Sequence, residues 1–114
     1  MSVSQFPDQQ KRARKFTSKT ASATLTASEV KNGFISANHA SVAIALTVPA
    51  ATPSLAGANC YVGQAGAAAV TVVVAAGFAG AGASYDTITL THGNMCLIAC
   101  DGTYWYAMNF TTVA

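Results

Sequence analysis

Few side chains in this sequence could carry acid–base or metal chemistry, and most of them have a local structural role. The two histidines, His39 and His92, fall at predicted turns beside strands, where an imidazole commonly bonds to the turn itself. Of the four carboxylates, Asp101 belongs to an Asp-Gly turn, Glu29 to a helix cap and Asp8 to the segment before the first predicted strand, which leaves only Asp86. No pair of carboxylates is left for general acid–base work. We therefore predict no catalytic residue, no metal site and no cofactor.

Motifs for nucleophilic attack or phosphate binding are also missing from the sequence. There is no G-x-S-x-G elbow, and the glycine-rich segment that begins at Gly77 lacks the Lys and Ser or Thr of a phosphate-binding loop. The three cysteines have no C-x-x-C spacing. Cys96 and Cys100 would stand about 13 Å apart in a strand, which is too far for a disulfide. We predict three reduced, packed thiols, including Cys60.

The distribution of basic side chains is the strongest pattern in the sequence. Residues 1–20 hold five of the six basic residues and one acidic residue, whereas residues 21–114 hold one basic and three acidic residues. An ordinary soluble domain has roughly 25% charged residues, so this body has little charge to keep single copies apart. The sequence predicts an extended basic N-terminal arm (residues 1–20) and a body (residues 21–114) whose surface is largely covered by identical subunits or another protein.

Three interpretations of the basic arm are open. As a docking strap, its cations would pair with acidic groups on a protein shell while its aromatic residues act as anchors. The candidate docking residues are Phe6, Lys11, Arg12, Arg14, Lys15, Phe16 and Lys19. Alternatively the arm would neutralise nucleic-acid phosphates, or it would be a disordered, solvating tail. We favour the strap over a nucleic-acid partner.

The sequence offers no segment for a membrane or for secretion. It has no run of 18 apolar residues, and the basic cluster is not followed by the apolar stretch of a secretory signal. We therefore expect no membrane partner and assembly in the cytoplasm.

Alternation of apolar and polar residues predicts strands through most of the body. In residues 41–48 it places Val42, Ile44, Leu46 and Val48 on one side. Further strands are predicted near residues 23–26, 33–37, 58–63, 70–74, 86–91, 95–100 and 103–110. The one helical signal is a turn that begins at Thr26 with a capping box to Glu29. About eight short strands predict an all-β fold, a small antiparallel β-sandwich, jelly roll or barrel.

The last two predicted strands form a hairpin around Asp101-Gly102, a dipeptide that favours a two-residue turn. Such a turn places Ile98 opposite Trp105 and Leu97 opposite Tyr106. Both faces of the hairpin are apolar or aromatic, so we expect one face in the core and the other against a partner. The core and self-association residues predicted here are Met95, Leu97, Ile98, Tyr104, Trp105, Tyr106 and Met108.

The order of these features resembles the small β-rich decoration, or cement, proteins and head-fibre domains of tailed bacteriophages. The resemblance runs from about Ala21 to Phe110 and leaves out the basic arm. It rests on an Asn32-Gly33 turn, an alternating strand that ends at Pro49, a Val/Thr strand that runs into Gly77-Phe78, a strand at Asp86, and an Asp101-Gly102-Thr103-Tyr104-Trp105-Tyr106 segment similar to the family's Gly-x-Trp-Tyr ending.

This resemblance implies a structural virion protein without enzymatic activity. It implies a homotrimer that binds the major capsid protein on the outer capsid surface, often at local three-fold positions, and strengthens the shell against internal pressure. Two other classes stay open. One is a viral coat subunit with a nucleic-acid-binding arm. The other is a fibre or adhesin module in which Tyr104, Trp105 and Tyr106 stack on glycans.

Overall fold

The computed structural model describes residues 14–80, 85–91 and 93–109, with Asn109 described by its backbone alone. Three of the predicted docking residues, Phe6, Lys11 and Arg12, and the histidine His92 lie outside these residues. The described strands are β1 (Lys15–Lys19), β2 (Ala23–Thr24), β3 (Gly33–Ala37), β4 (Ile44–Thr47), β5 (Asn59–Gln64), β6 (Val70–Val73), β7 (Thr87–Leu90), β8 (Met95–Cys100) and β9 (Trp105–Asn109). A helical turn, α1 (Ala27–Val30), and a 3-10 turn (Pro53–Leu55) complete the described elements.

The strands form two sheets. The five-stranded sheet has the order β1-β3-β5-β8-β9, and the four-stranded sheet has the order β2-β4-β6-β7. From β1 to β6 the chain visits the two sheets alternately, and each strand lies beside the strand two places earlier in the chain.

Because of this alternation, both sheets are mixed and the predicted antiparallel arrangement is wrong. The pairs β1–β3, β2–β4, β3–β5 and β4–β6 are parallel, and only the pairs β5–β8, β6–β7 and β8–β9 are antiparallel. When the chain leaves a sheet, passes through another element and returns, the new strand can lie parallel to its neighbour. Two strands joined by a short hairpin cannot be parallel. Here the crossing element is a strand of the other sheet. Side-chain alternation reveals the two faces of a strand but not its direction.

The inward side chains of both sheets meet in one hydrophobic core. The five-stranded sheet contributes Ile35, Cys60, Val62, Cys96, Ile98 and Trp105, and the four-stranded sheet contributes Ile44, Leu46, Val70, Val72, Ile88 and Leu90. Val42 does not join them, contrary to prediction, because β4 begins only at Ile44. The ring nitrogen Nδ1 of His39 accepts hydrogen bonds from the backbone N–H groups of Ser41 and Val42, and this turn leaves Val42 61% exposed.

The helical turn α1 forms where the sequence predicts it. Thr26 accepts a hydrogen bond from the backbone N–H of Glu29, and the Glu29 carboxylate accepts one from the backbone N–H of Thr26. This reciprocal pair satisfies two N–H groups that the start of a helix leaves without partners. The turn ends before Asn32, whose φ of 55° is left-handed.

The predicted boundary between arm and body differs from the structure. The sequence predicts that residues 15–19 belong to the basic arm, but they form β1, the edge strand of the five-stranded sheet. The backbone N–H of Lys15 donates to the carbonyl of Asn32 and the N–H of Asn38 donates to the carbonyl of Lys19, so β1 is bonded along its whole length to β3. The sequence Lys-Phe-Thr-Ser-Lys has too few apolar residues to show a strand pattern.

The hairpin between β8 and β9 has a longer turn than predicted. Cys100 pairs with Trp105 and Ile98 pairs with Ala107, so four residues separate the strands. Asp101 causes the difference, because its carboxylate accepts hydrogen bonds from the N–H groups of Thr103 and Tyr104. The change shifts each pair by two residues along β9. Since side chains alternate with a period of two, the assignment of residues to the two faces of the hairpin is preserved.

Candidate functional site

The side of the five-stranded sheet that faces away from the core carries a continuous apolar row. Successive strands place one residue each in this row, and the pairs are in direct register. From β1 to β9 the row is Phe16, Phe34, Tyr61, Leu97 and Met108. We call this side, with the flanking residues Met95 and Tyr106, the outer face.

The aromatic half of the outer face is a packed cluster with a cation on it. The ring centroids of Phe16 and Phe34 lie 6.1 Å apart, and those of Phe34 and Tyr61 lie 6.4 Å apart. The guanidinium carbon of Arg14 lies 4.5 Å from the centroid of the Tyr61 ring, which is a cation–π distance. The Arg14 nitrogen Nη1 is buried and has no hydrogen-bond acceptor among the described residues.

The two ends of the row are the most exposed parts of the outer face. Phe16 on β1 is 65% exposed, and Met108 on β9 is 55% exposed. Large apolar side chains that adjoin one another on a surface mark an interaction site, whereas isolated ones do not. Aromatic, Met and Arg side chains are also the types enriched where proteins contact proteins. The outer face is therefore the candidate functional site.

The cations of β1 do not share this face. Lys15 and Lys19 alternate with Phe16 and point toward α1, where the Lys15 ammonium donates to the hydroxyl of Ser28 and the Lys19 ammonium lies 2.8 Å from the Glu29 carboxylate. The hydrogen bond from Lys19, followed by that from the backbone of Thr26, lowers the pKa of Glu29 below its ordinary value. Lys15 and Lys19, two of the predicted docking residues, thus bind β1 to α1 of the same chain.

The hairpin residues predicted for core and self-association divide between the two faces. Ile98 and Trp105 lie in the core, and the indole N–H of Trp105 donates to the carbonyl of Pro49 at 2.8 Å. The other hairpin residues lie on the outer face, apart from Tyr104, which is exposed in the turn. The outward residues are Met95, Leu97, Tyr106 and Met108.

Asp101 supplies a fixed negative charge beside the outer face. The hydroxyl of Tyr106 donates to the second oxygen of its carboxylate at 2.7 Å. The N–H groups of Tyr104 and Thr103, and then this hydroxyl, lower the pKa of Asp101. The same hydrogen bond raises the pKa of Tyr106. Asp101 and Arg14 lie at the same end of the five-stranded sheet, beside β9 and β1 respectively.

Two hollows lie beside β9, and Phe78 lines both of them. One, of about 500 Å³, is lined by the loop after β6, by Tyr104 and by the edge of Trp105. The other, of about 380 Å³, is lined by Tyr85, Tyr106 and Thr87. Phe78 is held there by a hydrogen bond from its N–H to the carbonyl of Tyr85 and by a bridge to Trp105. Because Trp105 is buried, the three hairpin aromatics do not form a single stacking platform.

The remaining candidates for chemistry have structural surroundings. Cys60, Cys96 and Cys100 are buried, free thiols, as predicted. Burial raises the pKa of Cys60 and of Cys96 to about 12. Across the described ranges, no three His, Cys, Asp or Glu side chains lie close enough to hold a metal ion. Among the described helices, none is long and apolar enough to span a membrane.

One buried polar side chain was missed by the sequence reasoning. Gln64, at the end of β5, is 3% exposed. Its amide nitrogen donates to the carbonyls of Gly66 and Ala68, and its amide oxygen accepts from the N–H of Gly93 at 2.6 Å. Gln64 continues the inward positions of Cys60 and Val62, so alternation alone could have placed it in the core.

The outer face was missed as a unit for a different reason. Its five residues come from strands spread over more than ninety positions of the chain, and their alignment depends on pairings that no local pattern reveals.

Comparisons with known proteins identify no relative of this chain: no family model, no curated protein and no solved structure matches it.

Proposed function

We propose that the protein is a structural virion component without enzymatic activity, a decoration protein that associates with itself on the outer surface of a capsid and stabilises contacts between major capsid subunits. Its body would be a small β-sandwich in which the two sheets enclose the common core. The resemblance to phage decoration proteins implies three copies in the assembly.

The observation that carries this proposal is the outer face. A row of apolar side chains crosses all five strands of one sheet, and the body around it has four charged residues in positions 21–114. A surface of this kind favours protein association over a free monomer.

Attachment to the capsid is assigned to the first 13 residues. Lys15 and Lys19 already bind α1. The other cations of the predicted strap, which include Lys11 and Arg12, would therefore bind the capsid protein, and Phe6 would be an apolar anchor. Each contact would be weak by itself. Several copies held in one assembly would bind together far more tightly, because each further segment engages at a high effective concentration.

A protein that begins at Arg14 tests this assignment, since it keeps β1 and removes only residues 1–13. We expect it to fold and self-associate like the full chain but to lose co-sedimentation with empty shells of the major capsid protein. In the full chain, Lys11→Gln with Arg12→Gln should weaken shell binding at least tenfold. The neighbouring substitutions Gln9→Ala and Gln10→Ala are the matched control and should leave it unchanged. Equal shell binding by the shortened protein would contradict the proposal.

A further inference from the structure

We propose that the outer face packs against further copies of this same chain, related by a rotation axis parallel to the strands, so that β1 of each copy meets β9 of the next. This inference rests on the self-association in the proposed function and names the surface that performs it. Three features of the outer face carry it: the order of side chains in the row, the position of two opposite charges, and the width of the sheet.

The row is complementary to itself when copies are related in this way. Its β1 end is aromatic, with Phe16 and Phe34, and its β9 end is aliphatic, with Leu97 and Met108. Rotation about an axis parallel to the strands does not change positions along that axis, so the rows of all copies lie at the same level. It therefore brings Phe16 of one copy beside Met108 of the next, and methionine sulfur packs favourably on aromatic rings.

The charges fix the direction of the axis. Arg14 precedes β1 and Asp101 precedes β9, and both lie at the same end of the sheet but at opposite edges. An axis parallel to the strands brings Arg14 of one copy to the level of Asp101 of the next. An axis perpendicular to the strands within the plane of the face would carry them to opposite ends. In the single chain the guanidinium of Arg14 reaches over the Tyr61 ring on the outer face, and a carboxylate is the group that a guanidinium pairs with best.

The width of the sheet suits a closed ring of three. Five strands about 4.8 Å apart make a face roughly 24 Å wide. Three such faces arranged as a triangle have their centre about 7 Å from each sheet, about 2 Å more than half of the roughly 10 Å at which sheets pack. Tyr61 on the central strand β5 and its neighbours can fill that space. Four faces would leave a centre about 12 Å from each sheet, which these side chains could not fill.

A charge placed in the middle of the outer face tests the inference. Leu97→Lys introduces an ammonium on β8, and Thr71→Lys introduces the same group on the outward side of β6, a central strand of the other sheet. Both positions are half-buried in the single chain, and circular dichroism checks that both variants fold. We expect L97K to sediment as a monomer at micromolar concentration, and T71K to sediment as an assembly like the wild type. If L97K remains assembled, the inference is overturned.

Cross-linking tests the pairing of the edges. Phe16, Met108 and Val42 are exposed to a similar degree, 65%, 55% and 61%, and the native thiols are buried. With a short thiol-specific cross-linker, the double variant Phe16→Cys and Met108→Cys should give covalent oligomers that end at the trimer. The control, Val42→Cys and Met108→Cys, should stay largely monomeric on a denaturing gel. Equal yields from the two variants would overturn the edge pairing.

The same variants separate this inference from the proposed function. If the wild type assembles through this face but does not bind empty shells, the capsid function fails and the self-interface stands. If L97K assembles normally but no longer binds shells, the outer face contacts the capsid protein and the self-interface is overturned.

Discussion

At the scale of single residues, Gln64 shows how a polar side chain can stabilise this core. Its amide bonds three backbone groups from two different loops, the carbonyls of Gly66 and Ala68 and the N–H of Gly93. These groups lie where β5 ends and where β8 is about to begin, so the side chain ties both loops to the end of the five-stranded sheet.

We expect Gln64→Leu to destabilise the fold by about 2–3 kcal/mol, because it leaves buried backbone groups without partners. The free energy of unfolding in urea measures this loss. Asn59→Ala on the same strand is a suitable control, since the Asn59 amide makes one long hydrogen bond, 3.2 Å, to Gly57 two residues away. A loss for Gln64→Leu no larger than that of the control would show that the amide bonds contribute little.

Most strands of the fold were predictable from the sequence, whereas the first strand, β1, was not. The strand β3 was predicted with its observed bounds, and the strands from β5 to β8 were placed within about two residues, because each buries alternate apolar side chains. The strand β1 lacks that pattern. It is held instead by backbone pairing to β3 and by Lys15 and Lys19 on α1, contacts between segments that only the folded chain brings together.

The ion pair between β1 and α1 should make stability depend on pH. Lys19 lowers the pKa of Glu29 in the folded state below its ordinary value of 4.5. The ionised carboxylate therefore contributes stability above about pH 4.5, and the contribution is lost as the pH falls through the lowered folded pKa. The pair is close to the surface, so we expect a contribution of less than about 1 kcal/mol.

Glu29→Gln tests this, because the amide oxygen can keep the capping bond to Thr26 while the charge is removed. Between about pH 6 and pH 3, the wild type should lose more unfolding free energy than E29Q. Asp101 is present in both proteins and does not affect the comparison. Lys19→Met should reduce the pH dependence in the same way. Identical pH profiles for the wild type and E29Q would show that the ion pair has no influence on stability.

At the scale of the whole molecule, the outer face predicts that thermal stability depends on protein concentration. Unfolding that is coupled to dissociation of an assembly is opposed by mass action. For a body of this size, a hundredfold rise in concentration should raise the Tm of the wild type and of T71K by roughly 5–10 °C. Differential scanning calorimetry should show a Tm for L97K that does not change with concentration. A wild-type Tm that is constant over this range would contradict self-association.

The sequence by itself determined most of the inward residues, where most strands lie, that α1 starts with a capping box, and that both faces of the last hairpin are apolar. These properties depend on side chains a few positions apart, so local periodicity and turn chemistry reveal them. The tertiary structure alone decided that strands alternate between two sheets and that many of them pair in parallel. It also decided that Lys15–Lys19 form the edge strand of the five-stranded sheet, and that the five residues of the outer row, the first of them Phe16 and the last Met108, align. Strand direction and register are set by pairing between distant segments, and no local pattern in the chain carries that information.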